Sequence, residues 1–238
     1  YLRQHFNVCT PDMQTSLWAI GKANSVIRNL FRRPLFLAWA LAAAVSFAWV
    51  IVMQSLLSVL LWTALFGAVL VVIRRTLERQ ALAASVERCV AIQAEAIREF
   101  RPDIVVGSSW GGAVAMLCAA RGYYSGPQLL LAPALKRILD GMDASGGSRF
   151  EDLCSGITPD LAQCILIVHG DQDMTVPLDH SRLLAAATGI ELTEISGGDH
   201  RLNAALLDSP DGPATSDRLK QLVIQCAATP SQVAARPS

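Results

Sequence analysis

Three short segments hold the residues best placed for covalent chemistry. Gly107-Ser108-Ser109-Trp110-Gly111 fits the pattern G-x-S-x-G. It falls directly after an apolar run, Asp103–Gly107, and directly before a small-residue stretch, Gly111–Arg121. A sharp strand-to-helix turn needs small residues on either side so that the central hydroxyl, here Ser109, can project above a sheet edge as a nucleophile. A phosphate-cradling loop would have the same glycine content, but the Gly-Lys-Ser/Thr ending of such loops is absent. Downstream, Cys164–His169 runs into Gly170-Asp171-Gln172-Asp173, and Glu191–Ser196 runs into Gly197-Gly198-Asp199-His200. A carboxylate at one such strand end can orient an imidazole at the next. Asp171 and Asp173 both qualify as that carboxylate, His200 is the imidazole, and Asp199 reads as a loop-shaping neighbour. A serine, an acid and a histidine in that chain order supply what attack on an acyl carbonyl requires.

Each of these residues needs a strand to carry it. Alternating strand and helix patterns predict an α/β domain with a largely parallel sheet. Asp103–Gly107, Gln128–Ala132 and Cys164–His169 read as strands around the apolar cores IVV, LLL and ILIV, the first and third as strands buried on both faces. Glu191–Ser196 is a fourth strand, and His5–Cys9 is a candidate for an earlier one, ended by Thr10-Pro11-Asp12. Leu77–Phe100 is a helix whose Leu82, Val86, Val90 and Ile97 share a stripe, with Glu78, Arg79, Glu87 and Arg88 facing water. Residues 111–121, 178–188 and 216–227 complete the helices, and Thr15–Phe31 reads as an amphipathic lead-in. Of the remaining histidines, His169 at a strand end reads as structural, and His5 and His180 carry no expected role.

Between these patterns lies a segment of another kind. Residues 34–73 contain no Asp, Glu, Lys or Arg and are flanked by Arg32-Arg33 and Arg74-Arg75. One helix of that length would span about 60 Å, twice the ~30 Å hydrocarbon thickness of a bilayer. Two helices, Leu35–Met53 and Leu56–Ile73, turning at Gln54-Ser55, fit better. Basic pairs at both outer ends place both on the cytosolic side. The expected organisation is therefore residues 1–33 as a first strand and lead-in, 34–75 as a transmembrane hairpin, 76–228 as the catalytic portion and 229–238 as a disordered tail. A buried lid or dimer interface in a soluble protein is the competing reading of the apolar segment.

Composition sharpens this division. The 238 residues carry 20 basic and 20 acidic side chains, a formal net charge of zero, which argues against a nucleic-acid partner. Only 17% of residues are charged and 52% are hydrophobic. Outside the uncharged segment the charged share rises to about 20%, near the norm of ordinary domains. The six cysteines have no C-x-x-C spacing and no paired histidines, so neither zinc nor another cofactor is expected.

The stretches Gly107–Ala115 (GSSWGGAVA), His169–Pro177 (HGDQDMTVP) and Gly197–Leu202 (GGDHRL) resemble the α/β-hydrolase superfamily, most closely its small esterase-like members. The resemblance covers about residues 1–12 and 77–208. It implies Ser109 as nucleophile, Asp173 as orienting acid with Asp171 the competitor, His200 as base, and the Trp110 backbone N–H as an oxyanion donor. Ser108 is out of frame for the elbow. It further implies a small acyl ester as substrate, with thioesters and amides open to the same triad. The chain departs from the family at its start. The loop that supplies the family's second oxyanion donor does not precede the first strand here, and the initial Tyr1 reads as a truncation that leaves N-terminal strands out. A catalytically silent membrane scaffold is the alternative that this departure raises.

Overall fold

The computed structural model describes residues 2–13, 34–52, 56–142, 148–202, 206 and 218–228. The chain divides into two compact units, residues 14–85 and residues 1–13 together with 86–238. The apolar segment is thus an insertion into the chain of the larger unit.

In the smaller unit, helix α1 (Pro34–Val52) is followed by the first part of α2 (Leu56–Phe100). The Trp39 and Phe66 rings stack between them, centroids 5.8 Å apart. Much of the apolar surface is bare: Leu41, Val45, Trp49, Leu57, Leu60, Leu61 and Val72 are each more than 60% exposed. By length and composition one helix, Leu57–Phe100, could cross a membrane; its most apolar 18-residue window has a mean hydropathy of 2.2 and none of it is buried. The expected turn at Gln54-Ser55, the lead-in Thr15–Phe31 and the tail 229–238 lie outside the described residues.

The expectation of separate helices over Leu56–Ile73 and Leu77–Phe100 is corrected: α2 is one helix of 45 residues. Nothing at the junction can end it. Arg74-Arg75-Thr76 contains no Gly, Pro or cap. Arg74 instead pairs with Glu78 one turn on at 2.7 Å, and Thr76 returns its hydroxyl to the Val72 carbonyl.

In the larger unit, four parallel strands lie in chain order: β1 (Val105–Ser108), β2 (Gln128–Leu131), β3 (Ile165–Gly170) and β4 (Glu191–Ile195). Parallel neighbours require crossovers. They are α3 (Trp110–Ala120), then α4 (Leu135–Met142), α5 (Ser148–Ser155) and α6 (Pro159–Gln163), then α7 (Leu178–Thr188). Helix α8 (Arg218–Ala227) closes the described chain. All six residues of β3 are buried, which the run of apolar side chains foretold. The same expectation for the first strand is corrected: β1 lies at the sheet edge among the described residues, with Val105 half-buried and Val106 and Ser108 exposed.

Leu129, Leu166, Val168 and Ile195 form one core cluster with Leu219, Val223 and Cys226 of α8. Leu130 and Ile167, alternating with them, are completely buried as well. The C-terminal part of α2 buries Val86, Cys89, Val90 and Gln93, a stripe at helical spacing. Glu87 on its outer side forms a two-pronged ion pair with Arg121, both contacts at 2.7 Å.

The expectation of a strand at His5–Cys9 is also corrected. A 3-10 turn occupies Leu2–Gln4, and residues 7–13 pair with no strand among the described residues. Leu2 and Phe6 instead rest against the core cluster. With Pro11 nearby and only Phe6 and Val8 to anchor it, the segment gains more from side-chain burial than from a ladder.

Candidate active site

Ser109 sits where β1 turns into α3. It is the residue before the first helical turn, with φ 50° and ψ −114°. That conformation costs a non-glycine residue about 1–3 kcal/mol and persists only where its surroundings hold it. Here three backbone hydrogen bonds do so. Ser109 donates its N–H to the Leu131 carbonyl at 2.8 Å, and its own carbonyl accepts from Ala113 at 3.1 Å and Ala134 at 3.0 Å. The elbow is thereby clamped to the neighbouring strand end as well as to its own helix.

Glycine is needed at one of the two motif positions. A Cβ on Gly107 would lie 2.8 Å from the Gly111 carbonyl and from Gly112 N and Cα, all backbone atoms. A Cβ on Gly111 would meet nothing within 4 Å. The second tight position is Gly112, whose Cβ would press on the Gly107 carbonyl and Pro133 at 3.1 Å. Close approach of helix to strand, rather than the G-x-S-x-G spelling, is what the site demands.

The acid and the base come from loops that are stitched together. Asp171 donates its N–H to Ile195, and Gln172 donates to Gly198 at 2.9 Å. A side chain on Gly170 would overlap the Gly198 carbonyl, so the loops after β3 and β4 touch backbone to backbone. Asp171, the competing acid, spends its carboxylate on this junction, accepting the Gly197 N–H at 2.7 Å. Asp199 accepts from the N–H groups of Arg201 and Leu202 and shapes the turn around His200.

The structure brings Ser109, Asp173 and His200 together. His200 Nε2 lies 2.9 Å from Ser109 Oγ, and His200 Nδ1 lies 2.6 Å from Asp173 Oδ2. The hydrogen-bond network assigns the proton to Nδ1, leaving Nε2 to accept from the serine hydroxyl. Asp173 is fully fixed: its side chain is inaccessible, and Oδ1 accepts the N–H groups of Thr175 at 2.7 Å and Val176 at 2.8 Å. Burial by itself would raise the carboxyl's pKa, but the Val176 N–H, His200 and the Thr175 N–H together hold it below the ordinary aspartate value. Asp173 is therefore ionised at neutral pH despite its burial. Trp110 occupies the first helical position, where a backbone N–H has no partner within the helix.

An elbow serine after β1, then an acid after β3 and a histidine after β4, all at the same edge of one parallel sheet, is a specific arrangement. The parallel sheet with helical crossovers and this order of residues are what the resemblance to the α/β-hydrolases implies. No family model matches the chain, and no characterised protein matches it by sequence. Among solved structures it is similar to Est1E from Butyrivibrio proteoclasticus, at 21% identity over 60% of this chain and 71% of that one, TM-score 0.43. A monoacylglycerol lipase from Paleococcus ferrophilus gives 16% identity over 61% and 76%, TM-score 0.41. TT1662 from Thermus thermophilus gives 19% over 63% and 66%, TM-score 0.43. At that distance the functional reading rests on the geometry of the site itself.

One residue of the site was passed over in the sequence. His169, expected to be merely structural, is completely buried at the end of β3, and its Nε2 lies 3.1 Å from Asp173 Oδ2. Its spacing of four residues before the acid was the available signal. Ser108, by contrast, is exposed at the end of β1, out of the network.

Proposed function

We propose that this chain is a membrane-anchored serine hydrolase that cleaves carboxylic esters of lipid-like character through an acyl-enzyme. The observation that carries the reading is the continuous chain Ser109 Oγ, His200, Asp173 at 2.9 and 2.6 Å. Those distances are within the reach a general base needs. His200 takes the Ser109 proton as the oxygen attacks the acyl carbonyl, and Asp173 holds the imidazole in the competent tautomer and stabilises its charge. The Trp110 N–H donates to the oxygen of the tetrahedral intermediate. His200 then returns the proton to the leaving alcohol, and a water, deprotonated by the same imidazole, releases the acid.

The anchor is residues 34–73. Support comes from the bare apolar surface of α1 and α2, which water would penalise and acyl chains would not. A hairpin with both ends cytosolic follows from the flanking arginine pairs, and residence in a bilayer is the reason for a lipid-like acyl group. Labelling with a fluorophosphonate probe tests the chemistry: the wild-type chain is expected to label and Ser109→Ala to remain dark. Equal labelling of the variant refutes the nucleophile assignment. Turnover indifferent to acyl length would remove the lipid part of the proposal alone.

A further inference from the structure

Asp173 Oδ2 is shared. It accepts His200 Nδ1–H at 2.6 Å on one side and faces His169 Nε2 at 3.1 Å on the other. The protonation of His169 follows from its partners. Its Nε2 also faces the Val176 carbonyl at 3.0 Å, which can only accept, so Nε2 carries the proton and divides it between two oxygens. Its Nδ1 is then the acceptor for the hydroxyl of Ser181, 2.7 Å away and 1% exposed. The result is a buried relay that runs Ser181, His169, Asp173, His200, Ser109. Its inner half touches no reacting atom.

We propose that His169 is a positioning residue: by donating to the same oxygen that holds His200, it limits the negative charge that Asp173 offers the imidazole and so tempers its basicity. Two donors on one oxygen compete, because each polarises the lone pairs the other uses. The short contact to His200 and the longer, divided contact to His169 fit that competition. The remaining charges around the ring are compensated. Glu194 of β4, in register with His169, is held by Arg182 of α7 at 2.8 and 2.7 Å. His180 of α7 feels both this ring and Lys136, Arg137 and Asp140 of α4, where Lys136 pairs with Asp140 and Arg137 donates to the Thr175 carbonyl.

The inference rests on the hydrolase reading, and the test separates the two. The full chain in detergent is compared as wild type, His169→Phe and His169→Gln. The Gln side chain can place an N–H near the Nε2 position, whereas Phe fills the space without a donor. The pH profile of Ser109-dependent labelling is one readout, and the low-field proton resonance of the His200 Nδ1–H is the other. Expected for His169→Phe is an acidic limb moved to higher pH by roughly half a unit to one unit, with the resonance further downfield. His169→Gln stays close to wild type in both. If the Phe variant does not fold, His169→Asn replaces it, since its amide matches Nδ1 and falls short of Asp173. A variant that lowers the melting temperature but leaves limb and resonance in place overturns the proposal, as does a Gln variant that behaves like Phe. Should the wild type show no Ser109-dependent labelling, the hydrolase reading fails, and the resonance alone decides whether His169 tempers the Asp173–His200 pair.

Discussion

Replacing Gly107 by alanine places a methyl group against three backbone atoms at 2.8 Å: the Gly111 carbonyl oxygen and the N and Cα of Gly112. None of them belongs to a flexible side chain. Ordinary contact distances begin near 3.4–3.5 Å, so the first turn of α3 must retreat from β1 by about 0.6 Å. Such overpacking costs about 1–3 kcal/mol, a fall of roughly 3–10 °C in the melting temperature of a chain this size. The retreat also moves Ser109, whose strained φ of 50° depends on hydrogen bonds to Leu131, Ala113 and Ala134. Displacing a nucleophile by a fraction of an ångström slows its reaction steeply, so fluorophosphonate labelling is expected to fall at least about tenfold. Gly111→Ala is the control. Its Cβ enters open space, and alanine favours the helix by up to about 1 kcal/mol, so stability and labelling are expected to match or exceed wild type. Thermal unfolding in detergent and labelling rates read both. Were Gly107→Ala as stable and reactive as wild type, or Gly111→Ala equally impaired, close helix–strand approach would not be what the motif's glycines serve.

Asp173 makes stability depend on acid. Its carboxyl lies below the ordinary value when folded, so its contribution is fully present above the unfolded-state pKa and disappears as pH falls through the lower folded value. The gap in melting temperature between wild type and Asp173→Asn is therefore expected to narrow below about pH 4; a gap that stays constant down to pH 2.5 contradicts this. In the proposed anchor, Leu65 is 54% exposed near the middle of the uncharged part of α2. An aspartate there costs about 2.5–3.5 kcal/mol of insertion. Leu65→Asp is expected to raise the fraction released from membranes by alkaline extraction, and a wild-type chain fully released by the same treatment would argue for a soluble protein.

Much of this was written in local pattern. Four of the five expected strands form, because apolar runs such as CILIVH have no stable place except between two covering layers, and β3 is buried throughout. The fifth, His5–Cys9, failed for the same reason in reverse: it lacks the apolar content to compete with turn and side-chain burial. The junction at Arg74-Arg75 misled because a change in polarity is not a change in backbone preference. Both flanks favour helix, and an i,i+4 ion pair joins them. Asp171 and Asp173, two residues apart in one loop, were told apart in the sequence by the family resemblance alone; the physical reason lies in where the loop folds. One carboxylate closes onto Gly197, the other onto His200.

The sequence by itself determined the division of the chain into an uncharged apolar segment and an α/β portion of ordinary polarity, and the order serine, acid, histidine. These follow from composition and periodicity, which are properties of neighbouring residues. Tertiary structure alone decided which glycines are obligatory and that His169 shares the oxygen of Asp173, and it supplied the physical reason why Asp173, not Asp171, reaches the imidazole. The contact of Asp173 with His200 joins positions 27 apart and that of His200 with Ser109 joins positions 91 apart. No local pattern encodes such a distance; packing of the parallel strands sets it.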